Sequence, residues 1–226
     1  MIGWVGKLLF AGLCLLGTLG YAKALVAYTR FYMETPNIFV SFGAGAMVYA
    51  ILWVFVFSQR EKFWSVVEHE LTHVLFALLF FKRVHSFTAH RTNGGSVEIE
   101  GDNFMIALSP YFFPLLSVMI VLIKPSVFSQ YQWILNGLLG FTLMFHLVHL
   151  VREFHPSQPD LKKYGLLFSF LVVLFFNVFF IGLCIASLQG DWGPMKGYLE
   201  MGFREGLAYV TGGWKVFYQT TLAGLF

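Results

Sequence analysis

Residues 63–81 read Phe63-Trp64-Ser65-Val66-Val67-Glu68-His69-Glu70-Leu71-Thr72-His73-Val74-Leu75-Phe76-Ala77-Leu78-Leu79-Phe80-Phe81, an apolar run interrupted by a His-Glu-x-x-His pentapeptide. On a helix, two histidines four apart share a face and can grip one metal. The glutamate between them can then act as general base toward a water on that metal. Two imidazoles and two carboxylates (Glu68 and Glu70) thus stand in a segment that reads as membrane-spanning. Ionisable groups at membrane depth are costly and by default mark a functional site. Lys82 closes the run nine residues after His73, which at ~1.5 Å per residue places the metal about 13 Å inside that helix end.

The rest of the chain supports a membrane setting. Of 226 residues 58% are hydrophobic and 12% charged, where a soluble domain carries roughly a quarter charged residues. The formal charge of +3 is small and scattered, which excludes a nucleic-acid-binding stripe. Cys14 and Cys184 both fall in apolar runs, against a disulfide framework or a thiol metal site. The first 24 residues resemble a signal peptide, with Ala22-Lys23-Ala24 at a cleavage-like position, but Lys7 is a thin basic region and the segment reads as a retained first span.

The fold class read from this pattern is an all-α polytopic membrane protein. Six apolar stretches reach the ~20 residues a bilayer needs: 5–28, 38–58, 63–81, 104–123, 131–151 and 165–188. Pro110 and Pro114 predict a kinked or broken fourth span. Between spans three and four, Thr92-Asn93-Gly94-Gly95-Ser96 is a turn signal and Val97-Glu98-Ile99-Glu100 alternates, so a short β-hairpin is expected there. Residues 1–188 read as one transmembrane domain with its core at about 63–177, and residues 189–226 as an aromatic tail lying in the membrane interface. Arg30, Lys82, Arg83, Arg91, Arg152, Lys162 and Lys163 count to one side, against Lys7, Arg60, Lys62 and Lys124. The positive-inside tendency then puts the hairpin and the Asp160 loop in the cytoplasm and both termini outside. The expected location is a bacterial inner membrane, crossed several times.

Two histidines do not complete a catalytic zinc site, which ordinarily has three protein ligands and an open position. Asp160 leads as the third ligand, in a loop that Pro156 and Pro159 keep from joining the fifth span. His146, His149 and Glu153, on one face of that span, are the rival set. Imidazole and carboxylate donors favour zinc. Outside the site, His146 and His149 fit interhelical hydrogen bonds or a water path, Glu68 fits a structural partner role, and Gly94-Gly95 fits a tight turn.

His69-Glu70-x-x-His73 in a span, a glycine-bearing hairpin directly after it, and a third motif two spans later make the chain similar to the site-2 protease family of intramembrane zinc metalloproteases. That family's third motif is Asn-Pro-Asp-Gly or Leu-Asp-Gly; here Gln158-Pro159-Asp160-Leu161 stands in the comparable place, with Gln for Asn and Leu for Gly. Ser109-Pro110 similarly resembles a Gly-Pro pair of the family. The resemblance covers about 63–177, without a PDZ-like insertion. It implies zinc held by His69, His73 and Asp160, Glu70 as the catalytic base, and Gln158 on the substrate or its oxyanion. An edge strand through Gly95, Ser96 and Val97 could hold an extended substrate by strand addition. The partners implied are a membrane-protein substrate, the lipid bilayer, and either further membrane proteins or a second copy, with no nucleic acid. Two other classes stay open: a catalytically inactive metal-binding scaffold subunit of a membrane complex, and a metal or proton transporter, against which stands the lack of an internal repeat or paired broken helices.

Overall fold

The computed structural model describes residues 3–57, 63–90 and 94–217. In chain order these form α1 (Trp4–Met33), α2 (Pro36–Leu52) with a π-helical turn (Trp53–Phe57), and α3 (Phe63–Leu79). A hairpin of β1 (Val84–His90) and β2 (Gly94–Ile99) follows. Then come α4 (Phe104–Leu108), α5 (Leu115–Ile123), α6 (Gln132–Glu153), α7 (Pro159–Tyr164), α8 (Leu166–Ala186) and α9 (Trp192–Phe217). The hairpin is antiparallel, pairing Phe87 with Val97 and Thr88 with Ser96.

Prolines set several of these boundaries. Pro36 and Pro159 occupy the first turns of α2 and α7, where the missing N–H costs nothing. Pro110 lies in a 3-10 turn and Pro114 caps α5, and between them α4 and α5 bend by 85°. The fourth apolar stretch is therefore a broken one, as its prolines predict. Glycines set the close approaches. A Cβ on Gly45 would overlap the carbonyl of Gly137, and one on Gly20 would overlap Gly202 and Gly206. Such small-residue contacts let apolar helices pack backbone to backbone.

Side-chain contacts define two ends of the bundle. At one end Lys124 is fully buried and donates to Gln132 and Asn136, while Asn136 donates to the Leu188 carbonyl. At the other, Glu153 ends α6 and α7 precedes α8. Lys7 Nζ donates to the Tyr164 carbonyl at 3.0 Å and Tyr32 Oη to the Ala186 carbonyl at 3.2 Å, so α1 starts at the Glu153 end and finishes at the Lys124 end. α2 returns beside α6, with Gly45 at Gly137 and Tyr49 bonded to His149. α3 begins at the Glu153 end, where His69 meets Glu153, and after the hairpin Asp102 pairs with Lys163 at that same end.

Length and composition bound the span count. Among the described residues four helices are long and apolar enough to cross a membrane (α1, α2 with its π turn, α6 and α8), and the bent α4–α5 pair makes a fifth if it counts as one span. α3 is not among them. Its 17 described residues reach about 26 Å; His69 within it meets Glu153, and after the hairpin Asp102 meets Lys163. Among the described residues four or five crossings are thus found by length and composition.

One expectation needs correction. Lys7 sits at the Asp160 end rather than opposite it, because α1 runs from that end. After residue 189 the described chain forms α9. α9 runs antiparallel along α1, with Gly197 at Tyr28, Gly202 at Tyr21 and Gly206 at Gly20, and buries Tyr198 completely. Gly202 and Gly206, four apart on α9, let Tyr21 and Gly20 of α1 approach closely.

Candidate metal centre

α3 carries His69 and His73 on one face, their ring centroids 5.0 Å apart. Pro159 starts α7 and sets Asp160 in its first turn, facing the same space. One donor atom from each of His69, His73 and Asp160 lies within 4.8 Å of the others.

The outer partners decide which atoms are available. His73 Nδ1 is 2.8 Å from the Ile106 carbonyl. A carbonyl only accepts, so Nδ1 carries the proton and Nε2 keeps its lone pair. His69 Nδ1 is 2.9 Å from Glu153 Oε2, which fixes the same tautomer. Tyr111 Oη donates to Asp160 Oδ2 at 3.3 Å. Each of the three side chains is therefore oriented from behind by a hydrogen bond, as metal-ligating groups are. The donor set, two imidazoles and a carboxylate, suits zinc.

The Ile106 carbonyl is available because of Pro110. In an uninterrupted helix it would accept from the N–H four residues on, and proline has none. His73 Nδ1 and Ser109 Oγ take it up instead. Asn103 caps α4 through Ile106 N–H at 3.0 Å, holding that turn in place.

A cavity of about 520 Å3 opens onto these groups. It is lined by His69, Glu70, His73 and Asp160, by Ser96, Val97 and Ile99 of β2, and by Gln158. Asp102 and Lys163, paired at 2.7 Å, sit on its wall. Burial, with Asp102 beside it, pushes the Tyr164 phenol up to about 12, so Tyr164 stays a neutral donor to Asp102. Gly95 stands behind Glu70 and does not line the cavity: a Cβ there would lie 2.6 Å from Glu70 Cγ and 2.7 Å from Val66 Cγ1. Its role is close approach of the hairpin to α3, beyond the turn role read from sequence.

The rival set does not converge. His146 bonds Asn177 at 3.4 Å, His149 bonds Tyr49 at 3.2 Å, and Glu153 serves His69. Among the described residues His69, His73 and Asp160 are the group that could hold a metal. Glu68 faces the opposite side of α3, in an apolar cavity with Trp64, Leu71, Leu116 and Phe145. Four contributors escape a reading of motifs: Glu153 as the partner of His69, Tyr111, Asn177 and the Ile106 carbonyl. Only the last had a sequence signal, in Pro110. The centre also lies nearer one end of the bundle than the motif's place in its apolar run implied, since Glu153 and Asp160 come from the end of α6 and the approach to α8.

No protein-family model matches the chain, and neither a curated protein nor a solved structure was found to be similar to it.

Proposed function

We propose that the protein is a membrane-embedded zinc endopeptidase of the site-2 protease kind, cutting peptide bonds of membrane-embedded or membrane-adjacent segments. One observation carries the reading. Two imidazoles with their Nδ1 atoms already engaged and one carboxylate bring their donors within 4.8 Å of one another, beside Glu70 in the same cavity. A scaffold or a transporter has no need of a carboxylate poised next to such a donor set.

Zinc held by His69, His73 and Asp160 would supply Lewis acidity and a water acidified to a pKa of about 7. Glu70, in the same cavity, would be the base that accepts a proton from the attacking water and returns it to the leaving amine. The open edge of β2 offers backbone groups at Ser96 and Val97 to an extended peptide, and the Gln158 amide can bond its carbonyl. A helical substrate must unwind to reach that edge. The cation-rich end of the bundle, with Lys7, Lys82, Arg83, Arg152, Lys162 and Lys163, faces the cytoplasm on the positive-inside tendency. α9 returns the chain to that side along α1.

Purified protein reconstituted in vesicles, with zinc measured by metal analysis and cleavage followed on a membrane-protein segment, tests the reading. The expected result is one zinc per chain, removed by chelator together with activity. Glu70→Gln should keep the metal and lose cleavage ~100-fold or more, the scale of a general base. Activity untouched by that change, or protein without zinc, would overturn it. Zinc flux into vesicles that survives Glu70→Gln would identify a transporter instead.

A further inference from the structure

Tyr111 is 1% exposed and does not line the cavity, yet its hydroxyl reaches Asp160 Oδ2 and its ring stands edge-on to His69, centroids 5.4 Å apart at 89°. It sits where the chain breaks between α4 and α5, so its own carbonyl is out of the helical ladder. Asn177 of α8 takes that carbonyl with Nδ2 at 2.9 Å. The same amide gives its other N–H to the Val173 carbonyl at 2.8 Å, and its Oδ1 faces His146 Nε2 at 3.4 Å. Every polar atom of the Asn177 side chain is thereby committed, and the amide is 7% exposed. A buried amide with all its bonds made is a rigid anchor, since releasing any of them leaves an unpaired group inside the bundle.

We propose that Tyr111, fixed by Asn177, is the positioning residue that holds Asp160 as a one-oxygen ligand. This deepens the metal reading above and rests on it. A carboxylate can grip a metal through one oxygen or both. A hydrogen bond on Oδ2 reserves that oxygen, turns Oδ1 toward His69 and His73, and keeps a coordination position for water, which a catalytic site must have. The route to Asp160 runs through the bend. Without the prolines the carbonyl of Tyr111 would stay in a helix; the turn is closed by the Phe112 and Phe113 N–H groups on the Ser109 carbonyl, and Asn177 is the side chain that ties it to α8. Tyr111 acts through Asp160 and does not touch substrate.

The test uses full-length protein loaded with zinc, for affinity by chelator competition, and with cobalt(II), whose visible absorption reports coordination number. Tyr111→Phe keeps the ring against His69 and removes one oxygen. It should weaken zinc binding ~10-fold or more, the scale for loss of an outer hydrogen bond to a ligand. It should also dim the cobalt band, as a carboxylate gripping through both oxygens raises the coordination number from four to five. Asn177→Leu should shift the band the same way, and Asn177→Asp should restore less than the wild-type intensity. Wild-type affinity and spectrum in Tyr111→Phe would overturn the proposal while leaving the metal centre standing. Failure of the wild type to take up either metal would overturn the centre itself, and this assignment with it.

Discussion

Replacing Gly95 by alanine isolates the contact between the hairpin and the proposed base. The added Cβ would meet Glu70 Cγ at 2.6 Å, Val66 Cγ1 at 2.7 Å and the Thr88 carbonyl at 2.9 Å. Carbon–carbon contacts settle at ~3.5–4.0 Å, so Glu70 and Val66 must move off by about 1 Å. The Thr88 carbonyl belongs to the hairpin ladder and cannot yield, which directs the displacement onto α3. Misplacing a reacting group by ~1 Å costs about 100-fold in rate, equivalent to about 2.7 kcal/mol at ~1.36 kcal/mol per factor of ten. Overpacking of this kind costs about 1–3 kcal/mol of stability. Gly94→Ala is the contrast. Its φ of +76° disfavours a side chain, but nothing lies within 4 Å of the new Cβ, so the cost of about 1–2 kcal/mol falls on the turn and leaves Glu70 in place. The assay is cleavage rate per zinc-loaded molecule, with thermal unfolding in parallel. Equal rates for wild type and Gly95→Ala, at equal zinc content, would refute the idea that Gly95 sets the position of Glu70.

Two other expectations follow from the site and the threading. Glu153→Ala should weaken zinc by ~10–100-fold through loss of the partner of His69, whereas Glu153→Gln should lose less, because its amide oxygen still accepts from Nδ1–H; equal effects in a chelator competition would show that charge, not orientation, matters. Single cysteines at Gly3 and Ser157 should react with a membrane-impermeant maleimide from one face of a vesicle, and those at Glu34 and Ser129 from the other, over the low background of the buried Cys14 and Cys184; labelling of Gly3→Cys and Ser157→Cys from opposite faces would break the threading.

The legible part of this protein is the part that local chemistry writes into the chain. His69, Glu70 and His73 declare themselves by spacing, Asp160 by its proline-bounded loop, the hairpin by its glycines and alternation, and the bend by Pro110 and Pro114. Less legible is what depends on where elements land. Hydropathy counts α3 as a span because its residues are apolar; where the chain goes after the hairpin shows only in the return of Asp102 to Lys163. Lys7 carries no mark of its side until it meets Tyr164. Tyr111 and Asn177 look like ordinary residues of apolar helices, and Glu153 like a helix-terminal charge. Their roles arise through space, from residues separated by 66 positions in one case and 84 in another. In the tail the aromatics are what a reading by composition sees, whereas Gly202 and Gly206, four apart, set the close approach to Tyr21 and Gly20 of α1.

The buried amine of Lys124 has a mechanical consequence. It ties the end of α5 to Gln132 and Asn136 of α6, and Asn136 ties on to the turn after α8. Parting these elements there would strand several enclosed polar groups at about 1–3 kcal/mol each. At the opposite end the cavity is lined by α3, β2, α4 and α7, and the half-exposed Asp102–Lys163 pair on its wall is worth about 0–1 kcal/mol. The end of the bundle away from the cavity is thus clasped through enclosed polar bonds between α5, α6 and the turn after α8, while the cavity wall is closed by an ion pair that water reaches.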